Sequence, residues 1–97
     1  MYNYCMTRIE KKTWPELFNK ILSGEKTFDV RIADFKIKVK DVLVLREYDP
    51  VKKSYTGRKI EKKITFVLNS KDQKFWPKKD INKFGLAIMG FKSLQKI

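Results

Sequence analysis

The chain has 97 residues, a length that suits one domain with one modest hydrophobic core. Its 23 lysines and arginines outnumber its 11 acids, and the formal net charge of +12 favours an acidic partner such as nucleic acid. The absence of histidine and the single cysteine, Cys5, exclude an internal disulfide, a histidine general base and the usual zinc ligand sets. We therefore expect no metal and no cofactor.

Most of the positive charge is lysine, which an AT-rich genome alone can produce, so the four arginines are more informative. The chain has no signal-peptide core and no apolar run of membrane-spanning length. We expect a cytoplasmic protein without a membrane partner, a monomer by default, built as a single domain over residues 1–97. The arginines are Arg8, Arg31, Arg46 and Arg58.

The first predicted elements are a strand over residues 2–11 and an amphipathic helix. Thr13 is a candidate N-cap, Glu16 completes a capping box, and Gly24 ends the helix. Apolar residues at i, i+3, i+4, i+7 and i+8 predict one stripe that faces the core rather than a ligand. The stripe consists of Trp14, Leu17, Phe18, Ile21 and Leu22.

The motif G-x-K-x-x-D-x-R follows the helix, with Lys26, Asp29 and Arg31 as its charged members. In a strand that begins near Lys26, Asp29 and Arg31 share one face and Phe28 and Val30 the other. We expect the apolar pair to point inward and the charged pair to face a rim or cleft. The motif is then either a surface ion pair beside a solvated lysine or a small polar site for an anionic, nucleotide-like ligand.

The central part of the chain predicts a β-hairpin. Residues 33–40 form a loop or short strand, and residues 41–48 form the strongest strand, whose Val-Leu-Val-Leu run indicates burial on both faces. Residues 49–53 form a turn, and residues 54–68 return as a long strand. We expect a bend or bulge at residues 56–58, where the return strand begins.

The stretch 69–83 is irregular and rich in lysine, and it contains Trp76. Aromatic side chains among lysines suit single-stranded nucleic acid, because bases stack while phosphates pair with the cations. Alternatively, the aromatic side chains close the end of a barrel and the lysines are solvated. Residues 84–91 form the last predicted strand, in which Gly85 and Gly90 mark bends or a close backbone approach.

These segments resemble the ASCH domains (activating-signal-cointegrator homology) of the PUA-like barrels, and the resemblance extends over roughly residues 8–68. A subgroup of small phage and bacterial proteins is closer. Its patterns Lys-Thr-Phe-Glu-x-Arg, Val-Gly-Asp-x-Leu-x-Leu-Arg-Glu-Tyr-Asp-Pro and Tyr-Thr-Gly-Arg correspond to residues 26–31, 39–50 and 55–58. Asp29 replaces the subgroup's glutamate and Lys40 its glycine. The resemblance implies an α+β fold: a small PUA-like mixed β-barrel of about five to six strands, with one main helix after the first strand.

The resemblance also implies a cleft beside the helix that binds RNA, another nucleic acid or a nucleotide-like small molecule. Lys26 and Arg31 would contact phosphate or a base edge, and Asp29 would orient Arg31 or accept a hydrogen bond from an exocyclic amine. Arg46 and Arg58 would approach from the hairpin. The predicted ligand-binding residues are Lys26, Asp29, Arg31, Arg46, Glu47, Tyr55, Arg58 and Trp76.

The hairpin residues also have a structural interpretation. Tyr48 and Tyr55 offer stacking surfaces for bases. Arg46, Glu47 and Arg58 can instead pair across the strands and set the hairpin register, which does not exclude a role in binding.

Two other functions stay open. Some ASCH proteins are amidohydrolases that deacylate N4-acetylcytidine with the motif lysine, a threonine and a later glutamate. Here Lys26 is the candidate catalytic residue, Asp29 stands in place of the threonine, and Glu47 is a possible substitute carboxylate. The other alternative is a phage-type accessory protein that binds a host protein or a nucleotide signal.

Overall fold

The computed structural model describes residues 6–72 and 78–94, without the side chains of residues 80 and 81. Within these residues, five strands and two helices follow one another, with a single 3₁₀ turn after the fourth strand. The elements are β1 (Arg8–Thr13), α1 (Pro15–Leu22), β2 (Phe28–Ile32), β3 (Val42–Asp49), β4 (Ser54–Asn69), the 3₁₀ turn (Ser70–Asp72), α2 (Lys78–Ile81) and β5 (Leu86–Ser93).

The strands form one mixed sheet in the order β1-β3-β4-β5-β2. β1 runs parallel to β3, and the other neighbours are antiparallel. The sheet curls into a half-barrel, so its edge strands β1 and β2 border the opening. The predicted α+β class, with a small barrel-like sheet and one main helix after the first strand, is confirmed.

Two residues of α1 enter the core. Phe18 and Ile21 are buried, whereas the other three residues of the predicted stripe, Trp14, Leu17 and Leu22, are exposed. The prediction that the whole stripe faces the core was therefore wrong. The predicted capping box was wrong as well, because Trp14 is the N-cap and the preceding threonine is the last residue of β1.

The hairpin follows the prediction closely. The first four residues of β3 are all buried, so this strand is covered on both faces. The register between β3 and β4 shifts between Arg46 and Tyr48, so Glu47 lies opposite the segment 56–58. Gly57 has φ of +99° there. The predicted bulge is confirmed, and it directs several polar side chains toward Glu47.

The face assignment in β2 is the reverse of the prediction. Asp29 is 5% exposed and Arg31 is half-buried, while Phe28 and Val30 are exposed. Asp29 and Arg31 do share a face, but it is the inner one, because their partners on β5 are the buried Met89 and Ala87. Polar groups can be buried in this way when they bond to one another.

Other boundaries differ modestly from those predicted. β1 is observed at residues 8–13, residues 33–41 form no strand, and β5 is observed at residues 86–93. The predicted start of the first strand and Trp76 lie outside the described residues.

Gly85 provides a test of the loop that enters β5. Its φ is +69°, and a Cβ there would lie 2.7 Å from Lys71 Cβ and 2.8 Å from the backbone nitrogen of that lysine. We expect Gly85→Ala to lower the free energy of unfolding by at least about 2 kcal/mol, from backbone strain and this clash. Denaturant-induced unfolding monitored by tryptophan fluorescence gives the measurement.

Gly90→Ala is the matched control for this prediction. A Cβ at Gly90 would meet its nearest neighbour, Phe66 Cβ, at an ordinary 3.7 Å. We expect a change in stability below about 1 kcal/mol. Equal losses in the two variants would contradict the assigned geometry around Gly85.

Candidate functional site

The charged residues of the G-x-K-x-x-D-x-R motif form a cluster around the buried Asp29. Arg31 Nε donates to Asp29 Oδ2 at 2.6 Å, and Lys26 Nζ lies 3.5 Å from Asp29 Oδ1. Lys26 Nζ also donates to the backbone carbonyl of Phe28 at 2.7 Å. The carboxylate therefore lies between two cations and holds both at the entry of β2.

Arg31 connects this cluster to the opposite edge of the sheet. Its Nη2 donates to Thr13 Oγ1, the last residue of β1, at 3.0 Å. This bond spans the opening of the half-barrel, because Thr13 and Arg31 belong to its two edge strands. The guanidinium keeps further N–H groups that can donate to a ligand.

An open cavity of about 340 Å³ lies at this opening. Its lining combines three cations and one anion with apolar side chains from α1 and β2. The excess of positive charge beside a partly apolar wall suits a ligand with an anionic group and a flat apolar part. The lining residues are Lys12, Thr13, Trp14, Leu17, Lys26, Phe28, Asp29, Val30 and Arg31.

Trp14 lines this cavity, although the amphipathic pattern predicted that it would face the core. It is 60% exposed and lines the cavity together with Leu17, one turn along α1. A large indole left in solvent beside cations is a common stacking surface for nucleobases. The helical period of the stripe did not reveal this exposure, because periodicity shows which residues share a face of a helix and not how deeply each of them is buried.

The buried Glu47 is the centre of a second polar cluster, whose other members are exposed. Glu47 Oε1 accepts from Thr56 Oγ1 at 2.6 Å and from Arg58 Nε at 2.8 Å, while Oε2 accepts from Arg58 Nη2 at 2.8 Å. Arg58 Nη2 also donates to Asn19 Oδ1 on α1 at 2.9 Å. The guanidinium of Arg58 lies over the ring of Phe18. The pair thus links the hairpin bulge to the helix.

These bonds set the ionisation of Glu47. The hydrogen bonds from Arg58 and then Thr56 lower its pKa to about 2, against the opposing effect of burial. The same carboxylate raises the pKa of Arg58 through its hydrogen bond. Glu47 is thus an anion already neutralised by a protein partner, which favours the structural interpretation of this pair.

The remaining hairpin residues form an aromatic and cationic patch. The guanidinium of Arg46 lies 3.9 Å from the ring centroid of Tyr55, and Tyr55 meets Tyr48 edge to face at 5.2 Å. Lys12 Nζ is 4.3 Å from the ring centroid of Tyr48. Because Lys12 also lines the cavity, the patch continues directly from it.

The predicted ligand residues therefore divide into three groups. Lys26, Asp29 and Arg31 meet in the cavity, and Arg46 and Tyr55 form the neighbouring patch. Glu47 and Arg58 bind each other at the hairpin bulge, where Arg58 also reaches α1. Trp76 lies outside the described residues, while Lys12, Thr13 and Trp14 are cavity residues that the prediction did not include.

Comparison with known families places the chain. Residues 10–91 match a family described as a domain of unknown function, DUF3850. The chain belongs to the DUF3850 family. No curated protein matches it. The match begins within β1 and covers α1, β2 and the hairpin, and so includes every residue that lines the cavity of this DUF3850 domain.

Within residues 6–72 and 78–94, no three acidic, histidine or cysteine side chains are placed to hold a metal ion. Across the same residues, no helix is long and apolar enough to cross a bilayer.

Acid unfolding tests the Glu47 cluster. Because the folded pKa of Glu47 lies below its ordinary value of 4.5, the ion pair contributes its full stability above about pH 4.5. That stability is lost as the pH falls toward about 2. We expect Glu47→Gln to unfold at lower denaturant concentration at pH 6, with the difference from the parent shrinking as the pH drops through this window.

Glu16→Gln, which removes an exposed carboxylate from α1, is the control and should leave the pH profile unchanged. Asp41 titrates in both proteins and cancels in the comparison. Its burial raises its pKa, but hydrogen bonds from the Thr7 and Lys38 backbone outweigh this and lower it. A Glu47→Gln profile parallel to that of the parent would contradict the assigned ion pair.

Proposed function

We propose that this domain binds single-stranded RNA, with one nucleotide held in the cavity between β1 and β2. The observation that carries the proposal is an open cavity lined by three cations and one buried carboxylate, beside an exposed indole. Phosphate contacts would supply most of the affinity, and stacking would hold the base.

The dimensions of the cavity favour a single nucleotide over a duplex. Its volume of about 340 Å³ lies at the lower end of the range of about 300–1,000 Å³ typical of small-ligand sites. In the proposed complex, Lys12, Lys26 and Arg31 contact phosphate, and Asp29 orients the guanidinium of Arg31. Trp14 stacks on the base.

The patch beside the cavity favours a polynucleotide over a free nucleotide. Lys12 lines the cavity and also lies against Tyr48, so a strand leaving the cavity would next meet the stacked Arg46 and Tyr55. Aromatic faces and a cationic path are the usual elements of sequence-tolerant binding to single strands. A free nucleotide-like ligand would use the cavity alone.

The resemblance to the ASCH and PUA-like barrels supports the same proposal. Lys40, which stands where the similar phage and bacterial subgroup carries glycine, has φ of +82°, a backbone that favours glycine. We extend the proposal to a cytoplasmic RNA-binding protein, because the one cysteine allows no internal disulfide. The same resemblance extends it to a protein of phage or bacterial type.

A nucleoside amidohydrolase centred on Lys26 is the second candidate. Lys26 lines the cavity with the hydroxyl of Thr13, a lysine and hydroxyl pair that suits acyl transfer. However, Lys26 donates to the Phe28 carbonyl and neighbours Asp29, an arrangement that suits a binding cation better than a nucleophile. We expect no release of acetate when the protein is incubated with N4-acetylcytidine, measured by mass spectrometry; turnover that Lys26→Ala abolishes would favour the enzyme.

Fluorescence anisotropy with labelled RNA tests the binding proposal. We expect single-stranded RNA of about ten nucleotides to bind more tightly than duplex RNA, with affinity that falls steeply as salt rises. Lys26→Ala should weaken binding roughly tenfold and lower the log–log salt slope by about 0.7, the value for one lost phosphate contact. Trp14→Ala should weaken binding without changing the slope, because stacking releases no counterions.

Lys52→Ala removes an exposed lysine from the hairpin turn and is the matched control, with affinity and slope expected to stay unchanged. Arg31→Lys keeps the charge next to Asp29 but loses the planar fork that also reaches Thr13, so it should weaken binding and lower the stability of the domain. Equal effects of Lys26→Ala and Lys52→Ala would reject the cavity as the site and leave non-specific attraction by net charge.

A further inference from the structure

A second surface lies on the outer face of β2, β5 and β4, and it adjoins the proposed RNA cavity at Phe28 and Val30. Cross-strand partners share a face, so the register places Ile32 beside Leu86 and Val30 beside Ile88. Gly90 separates Phe28 on β2 from Phe66 on β4, leaving a notch between two rings. We name this surface the outer apolar face; it comprises Phe28, Val30, Ile32, Phe66, Leu86 and Ile88.

This face is open to solvent. Five of its six side chains are between 40% and 57% exposed. The described helix α1 does not cover it, because α1 packs its buried residues into the core on the inner side of the sheet. A contiguous apolar area of this kind, with charged residues at its border, is typical of a protein interaction surface.

The dimensions fit one α-helix. Three strands spaced about 4.8 Å apart place the outer two about 10 Å from each other, close to the helix diameter of about 10–12 Å. The three rows extend over about 14 Å along the strands, which about nine helical residues would cover. A helix packed on a sheet face is also the common way for proteins to bury such a face.

Charge decides between the possible occupants. At the end of the face beyond Gly90, Lys63 and Lys92 are direct cross-strand partners, a like-charge pair that is unfavourable unless an acid joins it. The whole chain carries +12, so a second copy would meet strong repulsion. An anionic partner would reduce the repulsion between the two lysines and would be attracted by the net positive charge of the chain.

We infer that the outer apolar face docks an amphipathic helix of an acidic partner protein. The apolar stripe of the helix covers the three rows and places a side chain in the notch at Gly90. Carboxylates in its last turn over the face reach Lys63 and Lys92. This inference can be tested apart from the RNA proposal, because Lys63, Lys92 and Phe66 do not line the cavity, whereas Phe28 and Val30 do.

Three synthetic helical peptides of about 18 residues provide the probe. All share one leucine stripe: the first has glutamates flanking it, the second has lysines, and the third is the glutamate peptide in scrambled order. We expect only the first to bind, with NMR chemical-shift changes confined to residues 28–32, 63–68 and 86–92. Phe66→Ser should weaken it at least roughly tenfold, as for a central contact residue, while Val51→Ser, an 88% exposed control in the hairpin turn, should not.

Charge reversal gives the sharper test. The double variant Lys63→Glu with Lys92→Glu should prefer the lysine peptide, whereas Lys52→Glu should keep the preference of the parent. Equal binding of the scrambled peptide, or shift changes elsewhere, would overturn the inference. Two other results would also overturn it, if Phe66→Ser abolished them. One is dimerisation of the protein in sedimentation velocity, and the other is its cosedimentation with phosphatidylserine vesicles. Phe66→Ser should retain RNA affinity. The helix-docking inference can therefore fail while the RNA proposal holds, and the reverse outcome can be distinguished as well.

Discussion

The buried carboxylate of Asp29 is the constraint on which the site depends. A carboxylate that is almost removed from water requires compensation by opposite charge and hydrogen bonds. Arg31 and Lys26 supply this compensation, and Arg31 also bonds to Thr13 across the opening of the half-barrel. The same contacts therefore neutralise the acid, bring the two edge strands together and hold two cations beside a cavity.

A second buried acid on the same face of the sheet repeats this solution. Glu47 is the register partner of Thr13, so the two clusters are neighbours across β1 and β3. Here Arg58 and Thr56 satisfy the acid, and Asn19 ties the arginine to α1. The arginine of the Tyr-Thr-Gly-Arg block thus ties the hairpin to the helix although its side chain is half exposed, while the less exposed Lys26 and Arg31 line the cavity. Arg31 on β2 and Arg58 on β4 thus bind different carboxylates and join different elements: Arg31 joins the two edge strands, and Arg58 joins the hairpin to α1.

The fold could be predicted further than the site, for physical reasons that particular residues illustrate. The Val-Leu-Val-Leu run of β3 and the turn that follows it depend on local chemistry, and both were predicted correctly. In β2, period-two alternation established that Asp29 and Arg31 share a face. It did not identify which face is inward, because that depends on bonds to Lys26 and Thr13 that no local pattern encodes. Trp14 was misassigned since its exposure depends on where α1 lies on the sheet.

The sheet order has a consequence for how the protein acquires its binding site. β3 and β4 are adjacent in sequence, so their pairing closes a short loop and has a low entropic cost. β2 joins β5 only after more than fifty intervening residues have been organised, and β1 must reach β3 across α1 and β2. We expect the hairpin to serve as the folding nucleus, and we expect the edge strands β1 and β2 to pair with the sheet late. The nucleotide-sized opening would then belong to the least protected part of the native ensemble, where backbone amides exchange with solvent first.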